Sequence, residues 1–420
     1  MTGLVEVASS FAFTRWVSRS GQSREAFERW QAHALQKWLV SALPRASYYG
    51  AAPRRLSDLP ITDKAALMTE FHRFNIAGVT TEQAWTAANA HGRLGRLTVG
   101  ASTGTSGNRG LFIISETERF RWLGTILAKT IADLMWQRQR VAVVLPQDTS
   151  LYDSARRSGL IDLRFFDLTL GPERWRDTIE AFSPTVIVAP PKILRHFAQE
   201  KFRLKPIRMF SAAETLDSVD RTVIEAYFGT TLDQIYMATE GLFAVTCRKG
   251  RLHLAEDSVF FEFEPAGDNL VTPLVTAFRR QTQIMARYRM NDLLRLSHVR
   301  CSCGSPLRAV DEVVGRMDDA FRLSSREGDI ILTPDILRNA VLKADRRIDD
   351  FRLIQTEPGK IELWLKTKLA ADAATAASLA LERLLEVRQV SAHVSVIRTE
   401  IPLDTHRKLR RVERRLEVQA

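Results

Sequence analysis

The chain has 420 residues, 45% of them hydrophobic and 26% charged, with a formal net charge of +11. That length and apolar content support a large buried core divided over two or three domains, and exclude a disordered or fibrous chain. The opening MTGLVEVASSFAFTRWVSRS is broken by Glu6, Arg15 and Arg19, and no later run approaches the roughly 18 apolar residues of a membrane span, so a soluble cytoplasmic chain is expected.

The excess of Lys and Arg fits either a polyanionic partner such as nucleic acid or a solvated surface. Many of the basic residues fall in the last hundred and no nucleic-acid-binding motif accompanies them, which favours the solvated surface. Three cysteines, two of them one residue apart, make a poor disulfide framework and a better start on a metal site.

Residues 1–80 read as amphipathic helices. They close with LPITDKAALMTEF, where Thr62 or Asp63 caps a helix carrying Leu67, Met68 and Phe71. From Arg96 short β-rich runs (RLTVGAS, GLFIIS, RVAVVLP, TVIVAPP, IRMFSA, LDQIYMA) alternate with helical stretches, the pattern of a largely parallel sheet covered by helices. Ser115 and Glu118 form a capping box for a helix bearing Phe120, Leu123, Ile126, Leu127 and Ile131, and Pro191 occupies a first helical turn before Leu194 and Phe197. From Leu242 to Leu296 the pattern is mostly strand and includes the hairpin VTCRKGRLHL, turning at Lys249 and Gly250. After DEVVGRMDDAF it changes again, to a strand pair, a helix near residues 335–343, strands at DFRLIQ and KIELWLK, an alanine-rich helix over 370–387 and a strand at HVSVIRT. The expected class is α/β, a large N-terminal domain followed by a small α+β domain.

STGTSGNRG, residues 102–110, sets three glycines and four hydroxylated side chains in nine positions. Glycine lets main-chain amides crowd around an oxygen-rich anion. A Walker loop would need a lysine inside the loop and a helix after it, whereas LFIIS reads as a strand; the spacing of Gly104, Gly107 and Gly110 also misses the dinucleotide fingerprint. A flexible loop between two strands that closes over the β- and γ-phosphates of ATP fits better, with Ser102, Thr103, Thr105 and Ser106 adding side-chain donors to the amides of the loop.

This loop resembles the phosphate loop of the adenylate-forming superfamily (acyl-CoA synthetases, adenylation domains, luciferases), whose other signatures follow in order. SAAET at 211–215 resembles the segment lying against adenine, and YMATEG at 236–241 the aromatic-x-x-Thr-Glu motif. MARYRMND, ending in Asp292, resembles the Tyr-Arg-x-Gly-Asp pattern, GRMDD at 315–319 the hinge, and IPLDTHRKLRR carries Lys408 where the family keeps its mobile lysine. LPITDKAALM, SLYDSARRSGLIDLRFFDL and TEGLFAVTCRKGRLHLAED extend the resemblance to the phenylacetate-CoA ligase-like branch, which includes synthetases that adenylylate a deazaflavin coenzyme.

The resemblance implies that an aryl or apolar carboxylic acid attacks the α-phosphorus of ATP, that pyrophosphate leaves, and that the acyl group then passes to CoA or another nucleophile. On this pattern Ser102, Thr103, Gly104, Thr105, Ser106, Gly107 and Arg109 hold the leaving phosphates, Arg109 standing in for the lysine usual in the family's loop. Ala213, Glu214, Tyr236 and Met237 border the nucleotide, and the acyl pocket lies near Tyr236 and residues 211–214, with Tyr152 added. Thr239 donates toward the α-phosphate, Glu240 holds Mg²⁺, and Asp292 accepts from both ribose hydroxyls. Arg316 supports ribose or phosphate, Asp318 is the hinge between domains at 1–315 and 316–420, and Lys408 reaches the α-phosphate and acyl carboxylate when the small mobile domain closes. Asn291 and Arg407 depart from the family, each standing where it keeps a glycine. A monomer or homodimer is expected.

Cys247-x5-His253 lies on the expected hairpin, and Cys301-x-Cys303 follows in VRCSCGSPL. These four soft or borderline ligands suit tetrahedral zinc. By spacing alone His253 is equally a packed strand residue; the similar Cys, His, Cys, Cys order in metal-bearing relatives of phenylacetate-CoA ligase favours the ion. With four protein ligands its role is structural. Two other classes stay open: an adenylyltransferase that passes AMP to a hydroxyl of a coenzyme-like acceptor, and a basic zinc-containing nucleic-acid binder.

Overall fold

A computed structural model describes residues 2–51, 53, 55–102, 109–133, 138–146, 152, 155–156, 161–325 and 328–415. The chain divides into two compact units: residues 1–290 with 295–312 and 405–407, and residues 291–294 with 313–404 and 408–420.

In the first unit the helices Thr2–Val17 and Arg24–Ser41 lead in, the second capped by the Ser23 side chain, which accepts from the Ala26 amide. A three-stranded sheet follows, with β1 (Arg93–Leu94), β2 (Leu97–Ala101) and β3 (Leu111–Ile114). RLTVGAS and GLFIIS, expected among the parallel strands, instead pair with each other in antiparallel register, Ala101 opposite Leu111 and Thr98 opposite Ile114. The glycine stretch between them is too short for the dozen or so residues that a parallel crossover needs.

The parallel sheet consists of β4 (Gln139–Leu145), β5 (Ile161–Asp167), β6 (Val186–Ala189), β7 (Arg208–Ala212) and β8 (Leu232–Ala238), in the spatial order β5-β4-β6-β7-β8. Helices Arg176–Phe182, Pro191–Gln199 and Ser218–Phe228 make crossovers. Val141, Val143, Val186, Phe210 and Ile235 pack with Leu123 and Leu127 of helix Glu116–Thr130 to form the core beneath the site. That helix starts at the capping box expected from its sequence: Ser115 caps it and Glu118 reaches back to the Ser115 amide.

The sheet then reverses. β9 (Gly241–Thr246) runs antiparallel to β8 with Ala238 opposite Gly241, so Thr239 and Glu240 form a two-residue connection. β10 (Leu252–Leu254) returns against β9 through a turn with Gly250 at φ +73°. β11 (Phe260–Pro265) and β12 (Leu270–Thr276) form a further antiparallel pair, and β13 (Tyr288–Arg289) adds to β12. β14 (Asp292–Leu296) and β15 (Ala309–Arg316) are divided between the two units.

The second unit holds the hairpin of β16 (Phe321–Ser325) and β17 (Gly328–Leu332) and a four-stranded sheet of order β20-β19-β18-β21. Its strands are β18 (Phe351–Glu357), β19 (Lys360–Lys366), β20 (His393–Thr399) and β21 (Val412–Arg414). Helices Pro334–Ala344 and Ala371–Val387 bury Leu337, Val341, Ala377 and Leu381 against Phe351, Leu353 and Leu363. The mixed α/β class with a smaller α+β unit is as the sequence predicts; β21 is an addition. No helix among the described residues is long and apolar enough to cross a membrane.

Candidate active site and metal centre

In open α/β sheets, ligands gather beyond the carboxyl ends of the parallel strands, where strand direction or order changes. β7 ends at Ala212, followed by Ala213 at φ +68° and Glu214; its neighbour β8 ends at Ala238, followed by Thr239 and Glu240. Two of the sequence-predicted pairs therefore emerge side by side at the end of the parallel region. The Glu214 side chain is 2% exposed, with its carboxylate 2.9 Å from Lys192 Nζ. Tyr236 and Met237, half-buried, flank a register shift in β8, and the Tyr236 ring lies 5.4 Å from that of Phe243. Tyr152 meets Trp122 edge-on at 6.1 Å.

Thr103, Gly104, Thr105, Ser106 and Gly107 lie outside the described residues, but the neck of their loop is clear. The Gly110 amide donates to Ser102 Oγ at 2.7 Å, the Ser102 amide to the Gly110 carbonyl at 2.8 Å, and Arg109 Nε to the Ser102 carbonyl at 3.0 Å. The Arg109 guanidinium also stacks 4.8 Å over the Trp85 ring. A second cation sits at this neck. A Cβ placed on Gly110 would lie 3.4 Å from Lys64 Cε, 3.7 Å from Lys64 Nζ and 3.8 Å from Thr239 Cγ2.

Lys64 is the functional candidate that the sequence reading passed over. Asp63 caps helix Lys64–Thr69, accepting from the Ala66 amide at 2.9 Å, so Lys64 is the first helical residue. A cation there opposes the helix dipole, and the capping Asp63 carboxylate next to it offsets that charge.

Glu240 is held at both ends. Tyr288 Oη donates to its Oε1 at 2.9 Å, and Arg280 Nη1 donates to its carbonyl at 3.0 Å. Desolvation lowers the affinity of Arg280 for its proton, while Glu118 and Glu240 oppose that shift. Burial alone would raise the Glu118 carboxyl, but hydrogen bonds from Gln281, Thr282 and Ser115 outweigh it and hold Glu118 below the usual carboxylate range. Arg280 thus holds the turn through the Glu240 carbonyl while lying within electrostatic reach of both Glu118 and Glu240.

In the second unit Asp292 opens β14, half-buried. Asn291 Nδ2 and Arg316 Nη2 both donate to Asp318 Oδ2, the latter at 3.1 Å, so the departure at Asn291 gives Asp318 a second donor. Lys408 is exposed. Two arginines that adjoin it in the sequence have carboxylate partners, Arg410 with Asp319 at 3.3 Å and Arg411 with Asp350 at 3.1 Å.

Cys247, His253, Cys301 and Cys303 converge, with their ligand atoms all within 4.8 Å of one another. Cys247 Sγ lies 3.7 Å from Cys301 Sγ, and Cys303 Sγ 3.5 Å from His253 Nε2. A tetrahedral zinc ion with ordinary bond lengths sets S···S and S···N edges of about 3.8 and 3.5 Å, so this donor set fits zinc. His253 Nδ1 is 2.8 Å from the Leu307 carbonyl, which places the proton on Nδ1 and turns the Nε2 lone pair toward the sulfurs. The Lys249, Cys303 and Ser305 amides point at Cys247, Cys301 and Cys303 sulfurs respectively. Burial, reinforced by the Cys301 and Cys247 thiols, pushes the Cys303 thiol up to about 12, a penalty that a bound dication reverses.

The metal loop is also where the leading helices dock. The Gly21 amide donates to the Gly304 carbonyl at 3.1 Å, and Arg24 binds Glu256 through both oxygens at 2.6 and 2.8 Å and the Pro306 carbonyl at 3.0 Å.

No protein-family model matches the chain. Over 185 residues it is 25% identical to Protein CapK of Staphylococcus aureus, a match spanning 43% of this chain and 40% of that protein. Among solved structures it is similar to 2-hydroxyisobutyryl-CoA ligase in the postadenylation state in complex with R3-HIB-AMP, with a TM-score of 0.69 and 16% identity over 94% of this chain and 90% of that one. It is also similar to the anthranilate CoA ligase AuaEII in complex with anthranoyl-AMP, with a TM-score of 0.51 and 12% identity over 74% of this chain and 65% of that one. The chain therefore has the fold of these adenylate-forming CoA ligases.

Proposed function

We propose that the protein is a cytoplasmic ATP-dependent ligase of the phenylacetate-CoA ligase-like branch, which activates an aryl or apolar carboxylic acid as its acyl adenylate and passes the acyl group to CoA. The observation that carries this reading is the Thr239-Glu240 connection at the end of the last parallel strand, with Lys64 and Thr239 both beside the Gly110 neck of the phosphate loop, on a fold whose solved relatives were captured with acyl adenylates.

In the first step an oxygen of the substrate carboxylate bonds to the α-phosphorus of MgATP, the bond from that phosphorus to the bridging oxygen breaks, and pyrophosphate leaves with the charge. Donors placed where charge develops lower such barriers most. Residues 102–110 and Lys64 receive the leaving phosphates, Thr239 donates to the α-phosphate, and Glu240 is the hard oxygen ligand for Mg²⁺. Asp292 binds the ribose, Arg316 supports it, and Lys408 brings a donor to the reacting centre from the small domain, residues 316–420, which turns about Asp318. In the second step the thiolate of CoA attacks the acyl carbonyl and AMP departs. Cys247, His253, Cys301 and Cys303 would together hold zinc, and with four protein ligands the ion would contribute to the fold rather than to the reaction.

The test is pyrophosphate release across a panel of carboxylic acids, with and without CoA, followed by mass spectrometry of the products. Acyl-AMP in the absence of CoA and acyl-CoA in its presence support the reading. AMP joined to a hydroxyl group would replace it with adenylyl transfer, and no pyrophosphate with any acid would overturn it.

A further inference from the structure

We propose that Tyr288 is a positioning residue for Glu240, its hydroxyl aiming that carboxylate at the divalent cation of MgATP; this rests on the role given to Glu240 above. Tyr288 is 2% exposed, and a phenol so deeply buried needs a partner for its proton. It donates to Glu240 Oε1 at 2.9 Å, which uses one of the roughly four lone-pair directions of a carboxylate and fixes the rotation of the group. The donor is also neutral. An arginine or lysine in that place would orient the carboxylate equally well but add a second positive charge to that of Arg280, whereas a phenol adds none.

The backbone of Tyr288 is itself anchored from two sides. It pairs with Val275 of β12, and it bridges to Thr62, whose amide donates to the Arg287 carbonyl at 3.1 Å and whose carbonyl accepts from the Arg289 amide at 2.8 Å. Thr62 lies two residues before Lys64. One residue thus references both charges of the phosphate site, Lys64 through its backbone and Glu240 through its side chain, while Arg280 fixes the Glu240 carbonyl. Outer-shell partners of this kind set metal affinity by about 10- to 100-fold.

The experiment titrates Mn²⁺, followed by electron paramagnetic resonance, into protein saturated with a non-hydrolysable ATP analogue. Tyr288→Phe is expected to weaken Mn²⁺ binding by about tenfold, and raising Mg²⁺ is expected to restore much of its lost adenylation. In a Glu240→Gln background the same substitution should add nothing, because the acceptor charge it serves is gone. Wild-type Mn²⁺ affinity in Tyr288→Phe, or a full tenfold loss in the Glu240→Gln background, would overturn the proposal. Glu240→Gln with unchanged Mn²⁺ affinity and adenylation would instead remove the role of Glu240 on which the proposal stands. Should the buried variant fail to fold, Glu240→Asp breaks the same hydrogen bond from the half-buried turn, and wild-type Mn²⁺ affinity there overturns the proposal equally.

Discussion

Asp319, only 6% exposed, accepts at 3.3 Å from Arg410, an arginine two residues beyond the lysine assigned above to the reacting centre. Burial pushes the Asp319 carboxyl up to about 6 from an ordinary 3.8, with Arg410 and then Arg316 opposing the shift. The folded chain then holds this proton more tightly than the unfolded chain does. Its contribution to stability is greatest below the unfolded value and declines as pH rises through about 6. Asp319→Asn mimics the protonated form at every pH. Its thermal midpoint is expected to match wild type near about pH 4 and to exceed it by roughly 2–4 °C at neutral pH. Calorimetry at both pH values checks this, and a difference that does not vary with pH contradicts it.

Lys408→Ala should slow adenylation by on the order of 10² to 10³, the scale for losing one donor used chiefly in the transition state. ATP binding should fall far less. Single-turnover acyl-AMP formation and nucleotide affinity, measured together, separate the two effects, and an unimpaired rate removes Lys408 from the mechanism.

Lys64 and Arg109 should divide the work of the phosphate site unequally. The Arg109 guanidinium is held against the Ser102 carbonyl and the Trp85 ring, and Lys64 Nζ lies at the Gly110 neck, which Thr239 also lines. Lys64→Met is expected to weaken ATP binding by roughly 10- to 100-fold, the range for a charged hydrogen bond to phosphate, and Arg109→Met by less. Calorimetric titration with ATP ranks the pair, and the reverse order would reassign the cation.

Purified protein should contain one zinc ion per chain by atomic emission, and Cys303→Ser should lose it. Because Gly304 and Pro306 of the metal loop receive the Gly21 amide and Arg24, strong chelation should expose residues 1–45 to protease before the parallel sheet yields. A zinc-free preparation with an undiminished melting temperature and the same cleavage pattern would defeat the structural role.

The features readable in advance were those written in local chemistry. Asp63 as cap, the Ser115-Glu118 box and the Gly250 turn each need only a few adjoining residues. The convergence of Cys247, His253, Cys301 and Cys303 was expected from the resemblance, spacing alone having left His253 open. What escaped depends on distant partners. β21 is three residues long and exists because Leu353, far back in the chain, offers it a parallel edge. The Glu214 carboxylate read as facing a nucleotide, and no local pattern announced that Lys192 lies against it. Asn291 looked like a departure until Asp318 appeared as its acceptor, and Lys64 drew no reading until Gly110 came beside it. In each case the missing information was a tertiary neighbour.

The connection between β8 and β9 contains nothing except Thr239 and Glu240. An added residue there has to be absorbed in the turn, because slipping β9 by one position would turn its side chains to the opposite face and break its pairing with β10, which leads to the sulfur cluster. The length of that joint is therefore as much a part of the fold as the identity of its two residues.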